Sequence, residues 1–187
     1  MDDSPDLVIV SPNDPVAMIN LTQECRDRNI KFIYDPSQQV PRLSGEELKQ
    51  GMQGAYLMVV NAYEASVILE KTGLSLDELR DTIDILIVTK GEEGSKIYTN
   101  GDVIEVQAFA PTEIKDPTGA GDAYRAGLLA GIIKGLPLKL STEIGALCAT
   151  YALEFIGTQN HDFNLEDFVT RFREYADDDG QLDILLN

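Results

Sequence analysis

Short apolar runs alternate with stretches of helical periodicity along the first part of the chain. Leu7-Val8-Ile9-Val10 is an apolar run closed by Ser11-Pro12-Asn13-Asp14-Pro15. That is the pattern of a buried strand leading into a turn and a helix start. Asp14 is placed to cap the helix and Pro15 suits its first turn. Ala17, Met18, Leu21 and Cys25 then recur at helical spacing up to Arg28. Lys31 to Tyr34 predicts a second strand, followed by Asp35-Pro36-Ser37-Gln38-Gln39. Ser44 and Glu47 have the spacing of a capping box, so a helix should run from there towards Gly51 or Gly54. Tyr56 to Val60 predicts the third strand, Glu64 to Lys71 a helix, and Ser75 to Asp81 another with Ser75 and Glu78 as its capping box. Ile83 to Thr89 predicts a fourth strand, and Lys90 to Gly94 a loop. Ser95 to Thr99 and Val103 to Gln107 flank Asn100-Gly101, a strong hairpin signal.

Beyond Phe109-Ala110-Pro111 the periodicity turns helical, to about Lys134, then from about Leu140 to Phe155 and from about Leu165 to Tyr175. Ala123, Gly127, Gly131 and Gly135 recur every four residues. Glycine costs about 1 kcal/mol against alanine within a helix, so this stripe predicts close approach of another backbone. Strands alternating with helices, then a hairpin, then helices predict an α/β layered fold with a mainly parallel sheet. In such folds ligands gather beyond the C-terminal ends of the strands. The loops expected there are 11–14, 35–39, 61–64 and 89–94. With no repeats or low-complexity linker, one domain over 1–176 is expected, followed by an acidic tail, 177–187; the charge run 176–180 reads as a solvated end.

Composition narrows the partners. The chain has 187 residues and a net charge of −17, from 15 basic and 32 acidic side chains. That balance argues against nucleic acid and against an anionic membrane surface, both of which call for a basic footprint. A bound nucleotide would need local positive help from Mg²⁺, helix N-termini or individual Lys and Arg side chains. The acidic start of the chain is no signal peptide and no apolar run reaches membrane-spanning length, so a cytoplasmic protein is expected. Cys25 and Cys148 lie in apolar helical stretches and predict free, buried thiols.

The strongest chemical signal is Asp116-Pro117-Thr118-Gly119-Ala120-Gly121-Asp122, a glycine loop opening an apolar helix. Gly119 and Gly121 remove the Cβ atoms that would hold a bulky anion away from the backbone. The N–H groups of a first helical turn lack intrahelical partners and the helix dipole is positive there. Together these suit a phosphate. Asp122 repels such a ligand, which makes sense if it accepts a proton from a hydroxyl attacking that phosphate. A lone G-x-G would be read as a capped helix start; the whole heptad points to phosphate chemistry.

These residues resemble the ribokinase-like (PfkB-type) family of sugar and nucleoside kinases. The D-x-T-G-A-G-D signature is Asp116 to Asp122, N-x-x-E is Asn61-Ala62-Tyr63-Glu64, and T-x-G is Thr89-Lys90-Gly91, in family order. Within that family the chain resembles actinobacterial-type adenosine kinases through 11–15, 35–39, 116–125 and 157–159. The resemblance implies a ribokinase-like three-layer α/β/α fold with a mainly parallel sheet and a β-hairpin on its C-terminal side. It implies transfer of the ATP γ-phosphoryl to a nucleoside 5′-hydroxyl, with ATP and Mg²⁺ as cofactors. Asp122 matches the general base, and Gly119, Ala120 and Gly121 the anion hole. Asn61, Glu64, Thr89, Gly91, Gly94, Gly157 and Asn160 match the nucleotide side, Glu64 organising Mg²⁺ through water. A sugar kinase of the same family, or a non-catalytic nucleotide-binding fragment or subunit, remains an alternative.

Family members carry an N-terminal part with a first nucleating strand, a G-G motif and a β-sheet lid over the acceptor. The resemblance here begins after those elements, so the chain is expected to be truncated at its N-terminus. Most of the acceptor pocket, for a nucleoside or a sugar, is then expected elsewhere, and the isolated chain should be weak or inactive. An exposed sheet edge would invite a homodimer or pairing with a separate N-terminal half.

Overall fold

The computed structural model describes residues 5–186. The acidic start 1–4 and Asn187, at the end of the expected tail, lie outside the described residues. The chain divides into two compact units, one reaching to Lys90 with Ser95–Glu105, the other formed by Gly91–Gly94 and Val106 onward.

The first unit carries β1 (Leu7–Val10), β2 (Lys31–Tyr34), β3 (Leu57–Asn61), β4 (Ile85–Thr89), β5 (Ser95–Tyr98) and most of β6 (Val103–Val106). These form a single six-stranded sheet in sequence order. β1 to β4 are parallel, and β5 returns antiparallel to β4 as the second half of the sheet turns into a hairpin. Sequential order and right-handed crossovers put the connecting helices on one face of a sheet. Accordingly α1 (Pro15–Asp27), α2 (Gly45–Met52), α3 (Ala62–Thr72) and α4 (Leu76–Thr82) share one core with that face. Met18, Cys25, Leu48, Met52, Ile68 and Leu79 from the helices meet Val10, Phe32, Tyr34, Met58, Val60 and Leu86 from the strands. Ile33, Leu57, Val59 and Ile87, which point the other way by alternation, are buried as well.

The helix starts follow the local signals. Asp14 accepts from the N–H groups of Val16 and Ala17 at 3.0 and 3.2 Å. Ser44 with Glu47 and Ser75 with Glu78 form the two expected capping boxes. β4 begins at Ile85, because Ile83 closes α4 in extended backbone and the Asp84 N–H is turned to the Ala55 carbonyl at 3.1 Å. Lys71 donates to the carbonyls of Val40, Pro41 and Leu43, at 3.0, 2.8 and 2.7 Å, and so fixes the segment after β2.

The second unit is built on α5 (Ala120–Ile133), α6 (Leu138–Leu153) and α7 (Leu165–Tyr175). The small-residue stripe of α5 meets α6 backbone to backbone. A Cβ on Gly127 would stand 2.9 Å from the Gly145 Cα, and one on Gly131 2.7 Å from the Ser141 Cα. On the other side, a Cβ on Gly145 would stand 2.6 Å from the Tyr124 carbonyl oxygen. Gly135 lies past the end of α5 and is not part of the seam. α6 starts two residues earlier than periodicity suggests, directly after Pro137. Its other face joins Phe109, Ile144, Leu147, Phe168 and Phe172 in a second core.

The acidic tail departs from the solvated end expected of it. Residues Gln181–Leu185 form a short 3-10 turn and Leu182 is fully buried in the second core. Asp178 is buried too, accepting from Arg173 Nε and Nη2 at 2.8 and 2.9 Å and from the Leu182 N–H at 2.8 Å. Those bonds hold its carboxyl down to about 2, the Arg173 guanidinium being the main cause. Both cysteines are free; Cys25 is buried as expected, whereas Cys148 is only half-buried. No helix among the described residues is long and apolar enough to cross a membrane.

Candidate active site

The parallel register places Asn61 of β3 and Thr89 of β4 side by side at the C-terminal ends of their strands. Asn61 is also the N-cap of α3. Its side chain accepts from the Glu64 N–H, and Glu64 Oε2 accepts from the Asn61 N–H, each at 2.8 Å. The N-x-x-E motif is therefore a capping box in its own right, a third one beside those of Ser44 and Ser75. The two roles are compatible, since the box uses one carboxylate oxygen and leaves Glu64 Oε1 for a water on a cation. Among the described residues no group of three His, Cys, Asp or Glu side chains could hold a metal directly. A hydrated Mg²⁺ shared with phosphate oxygens fits this donor set, because that ion keeps most of its water.

Gly91 begins a one-turn 3-10 helix, Gly91–Glu93, and is exposed. Gly94 is buried, and a Cβ there would stand 2.0 Å from the Val106 carbonyl oxygen. Its glycine is required by a crossing backbone, in left-handed geometry at φ +83°.

The heptad lies in the second unit. Gly119 is the N-cap of α5 at φ +86°, a conformation that favours glycine, and it has no side chain with which to cap. α1, α2, α3, α4 and α7 close their first turns with the side chains of Asp14, Ser44, Asn61, Ser75 and Asn164. α5 and α6 start without such a side-chain cap, and at α5 the positive end of the helix dipole faces the heptad loop. Asp122 sits in that first turn with its side chain 79% exposed, and its Oδ1 accepts from Arg125 Nη2.

The loop 157–160 is tied to the heptad. Asp116 accepts from the Thr118 N–H through Oδ1 and from the Gly157 N–H through Oδ2, both at 2.9 Å. Hydrogen bonds from Thr118 and from the Gly157 N–H hold the Asp116 carboxyl below the usual carboxylate range. The Lys115 and Asp116 N–H groups donate to the Leu153 carbonyl, and Thr158 packs on Gly119, where a Cβ would stand 3.1 Å from the Thr158 Cα. Asn160 closes its own loop by donating to the Ile156 carbonyl at 2.7 Å. Beneath, Glu154 accepts from Arg171 Nη1 and Nη2 at 2.8 and 2.6 Å and from the Thr112 N–H at 2.7 Å. The structure thus groups Asn61, Glu64 and Thr89 in one unit, and Gly119 to Asp122 with Gly157 and Asn160 in the other. The linking role of Asp116 was missed from sequence, although Asp-Pro-Thr carries the signal of a side chain bonding the backbone two residues on.

The profile of the pfkB family of carbohydrate kinases matches residues 3–164. The nucleoside kinase of Methanocaldococcus jannaschii is 32% identical over 156 residues, which are 83% of this chain and 51% of that protein. The nucleoside kinase of Burkholderia thailandensis, solved with inosine, superposes with a TM-score of 0.88 at 31% identity, over 92% of this chain and 57% of that one. The solved M. jannaschii nucleoside kinase, an archaeal member of the ribokinase family, gives 0.87 at 30% identity, over 94% and 58%.

The sheet and the glycine-opened helix are those of a ribokinase-like α/β kinase fold. The chain belongs to the pfkB family of carbohydrate and nucleoside kinases. It spans about half the length of the curated relatives it matches.

Proposed function

We propose that this chain is the nucleotide-side, base-bearing portion of a nucleoside kinase, adenosine-kinase-like, that moves the γ-phosphoryl of ATP to a nucleoside 5′-hydroxyl. The observation that carries the reading is the start of α5, a glycine-opened helix end without a side-chain cap, with an exposed carboxylate in its first turn. Gly119, Ala120 and Gly121 present backbone N–H groups to the transferred phosphoryl, which carries most charge in its loose transition state. Asp122 takes the proton of the 5′-hydroxyl as its oxygen bonds to phosphorus and ADP leaves. Asn61 and Glu64 would hold a hydrated Mg²⁺, which would supply charge neutralisation for the phosphates. Thr89, Gly91 and Gly94 line the phosphates and ribose, and Gly157 to Asn160 the base. The nucleoside class rests on relatives that are themselves nucleoside kinases, and an ATP-dependent reaction of this kind belongs in the cytoplasm.

Pairing with another copy, or with an N-terminal half of the kinase, would run along β1. That strand is an edge of the sheet, and Ile9, Val16 and Leu21 around it are 42%, 63% and 40% exposed.

The test is an assay of the purified chain with ATP, Mg²⁺ and a panel of adenosine, inosine, cytidine, ribose and fructose, alongside ATP binding by calorimetry. ATP binding with slow formation of adenosine 5′-monophosphate, abolished in Asp122→Asn with ATP affinity kept, is expected. Preference for a sugar would overturn the nucleoside reading. Absence of ATP binding would overturn the kinase reading, and near-normal turnover in Asp122→Asn the base assignment.

A further inference from the structure

Glu154 and Arg171 form an ion pair in the second unit, with side chains only 10% and 16% exposed. Glu154 directly follows the last residue of α6, and the chain that runs on from it becomes the 157–160 loop. Its carboxylate also reaches the segment that leads into the heptad. Oε1 accepts from the N–H and the Oγ1 of Thr112, at 2.7 and 3.1 Å. The carbonyl of the preceding Leu153 accepts from the N–H groups of Lys115 and Asp116, at 2.8 and 3.3 Å. The end of α6 thus grips both ends of residues 112–116.

Arg171 of α7 fixes the carboxylate that makes the first of these grips. Its fork spans both oxygens, Nη1 on Oε2 at 2.8 Å and Nη2 on Oε1 at 2.6 Å, and its guanidinium stands 4.6 Å from the centroid of the Tyr151 ring. Such a buried pair is weak evidence for stability, because desolvation offsets the attraction and apolar residues of similar volume often replace it without loss. Two parallel bonds add direction instead. A carboxylate held by a fork has one orientation, and that orientation sets where Thr112 lies. Asp116 already joins the heptad to the Gly157 N–H by one hydrogen bond, and a single bond leaves a pivot. The anchor at Thr112 removes it.

We propose that Glu154 and Arg171 are positioning residues for the nucleotide, setting the register of residues 112–116 on the end of α6 and thereby the spacing between Gly119–Gly121 and the 157–160 loop. The inference rests on the kinase reading, in which the glycines take phosphate and the loop takes the base. A ligand that touches both segments depends on their spacing, whereas one that touches the glycines alone does not.

The experiment is calorimetric titration of ATP and of inorganic tripolyphosphate, each with Mg²⁺, into the 187-residue chain as wild type and as the double variant Glu154→Leu/Arg171→Met, with thermal unfolding as the fold control. Thr112 is exposed, so water can take its freed N–H, and the apolar pair should keep the Tm near that of wild type. ATP affinity should fall about tenfold, the scale of one misplaced hydrogen bond, while tripolyphosphate affinity stays within about twofold. A pair that only stabilises the fold leaves the ratio of the two affinities unmoved. Equal losses for both ligands, or no loss for either with folding intact, therefore overturn the proposal. If the double variant does not fold, Arg171→Lys decides by the same ratio, since it keeps the charge and loses the fork: a selective loss of ATP supports the proposal and a wild-type ratio overturns it. Failure of both variants to fold makes the pair a stability element and overturns it too, as does a wild-type chain that binds ATP but not tripolyphosphate. Wild-type chain that does not bind ATP overturns the kinase reading itself, an outcome distinct from the others.

Discussion

Asn61 and Thr89 are register partners at the C-terminal ends of the adjacent parallel strands β3 and β4. Parallel pairing brings the loops after both strands to the same edge, so two motifs far apart in sequence become neighbours. Asn61 is held there by its reciprocal bonds with Glu64. The N-x-x-E motif is thus fixed by its own capping box.

That arrangement separates a capping role from a cation role. Glu64→Gln keeps an oxygen for the Asn61 N–H and removes the charge. Chemical unfolding should show a stability within about 1 kcal/mol of wild type, the scale of a cap. ATP affinity should lose most of its dependence on Mg²⁺ concentration. Unchanged Mg²⁺ dependence would assign Glu64 to capping alone.

Asp116 uses both carboxylate oxygens as acceptors, so Asp116→Asn forces an amide NH₂ group against one of two N–H donors. Amide exchange at Gly157 or Thr118 should quicken, with the amides of Phe168 and Phe172 in the second core unaffected. The Asp116 carboxyl is lower in the folded chain, so its contribution is full above the ordinary value near 4 and is lost as pH falls through the lowered one. Wild-type protection at Gly157 should therefore persist at about pH 5 and fail only in stronger acid.

Gly145→Ala drives a methyl group into the Tyr124 carbonyl across the α5–α6 seam. The helices must separate, at a cost of about 1–3 kcal/mol. Calorimetry should show a lowered Tm, whereas Gly135→Ala, outside the seam, should leave the seam packing intact.

The tail is a structural part of the second core. Leu182→Ala should cost about 2–5 kcal/mol, as for other fully buried leucines. Asp178 has a depressed carboxyl, about 2 against roughly 3.9 unfolded, so its stabilisation is complete above the unfolded value and disappears as pH falls through the folded one. The stability gap between wild type and Asp178→Asn should be constant above about pH 5 and close between roughly pH 4 and 2, read by urea unfolding across that range.

Much of this was legible in the chain because its causes are local. Apolar runs of strand length, the Ser44 and Ser75 capping boxes, the Asp14 cap and the small residues of α5 each act within one or two turns, and each was readable from its neighbours. The heptad announced itself because a left-handed Gly119 ahead of an apolar helix needs no distant partner to be recognised. The tail was misread for the opposite reason. Asp177-Asp178-Asp179 looks solvated in sequence, and only Arg173 and the apolar residues of the second core turn Asp178 and Leu182 inward.

By itself the sequence determined the order of strands and helices and the starts of the capped helices α1, α2 and α4, since these follow from short-range sterics, capping and periodicity. Tertiary structure decided which of those residues are neighbours. Register set Asn61 beside Thr89, packing brought Gly127 onto Gly145, and two hydrogen bonds accepted by one carboxylate joined the Gly157 loop to the heptad. Such long-range pairings depend on the shape and burial of the whole fold, which no short stretch of sequence contains.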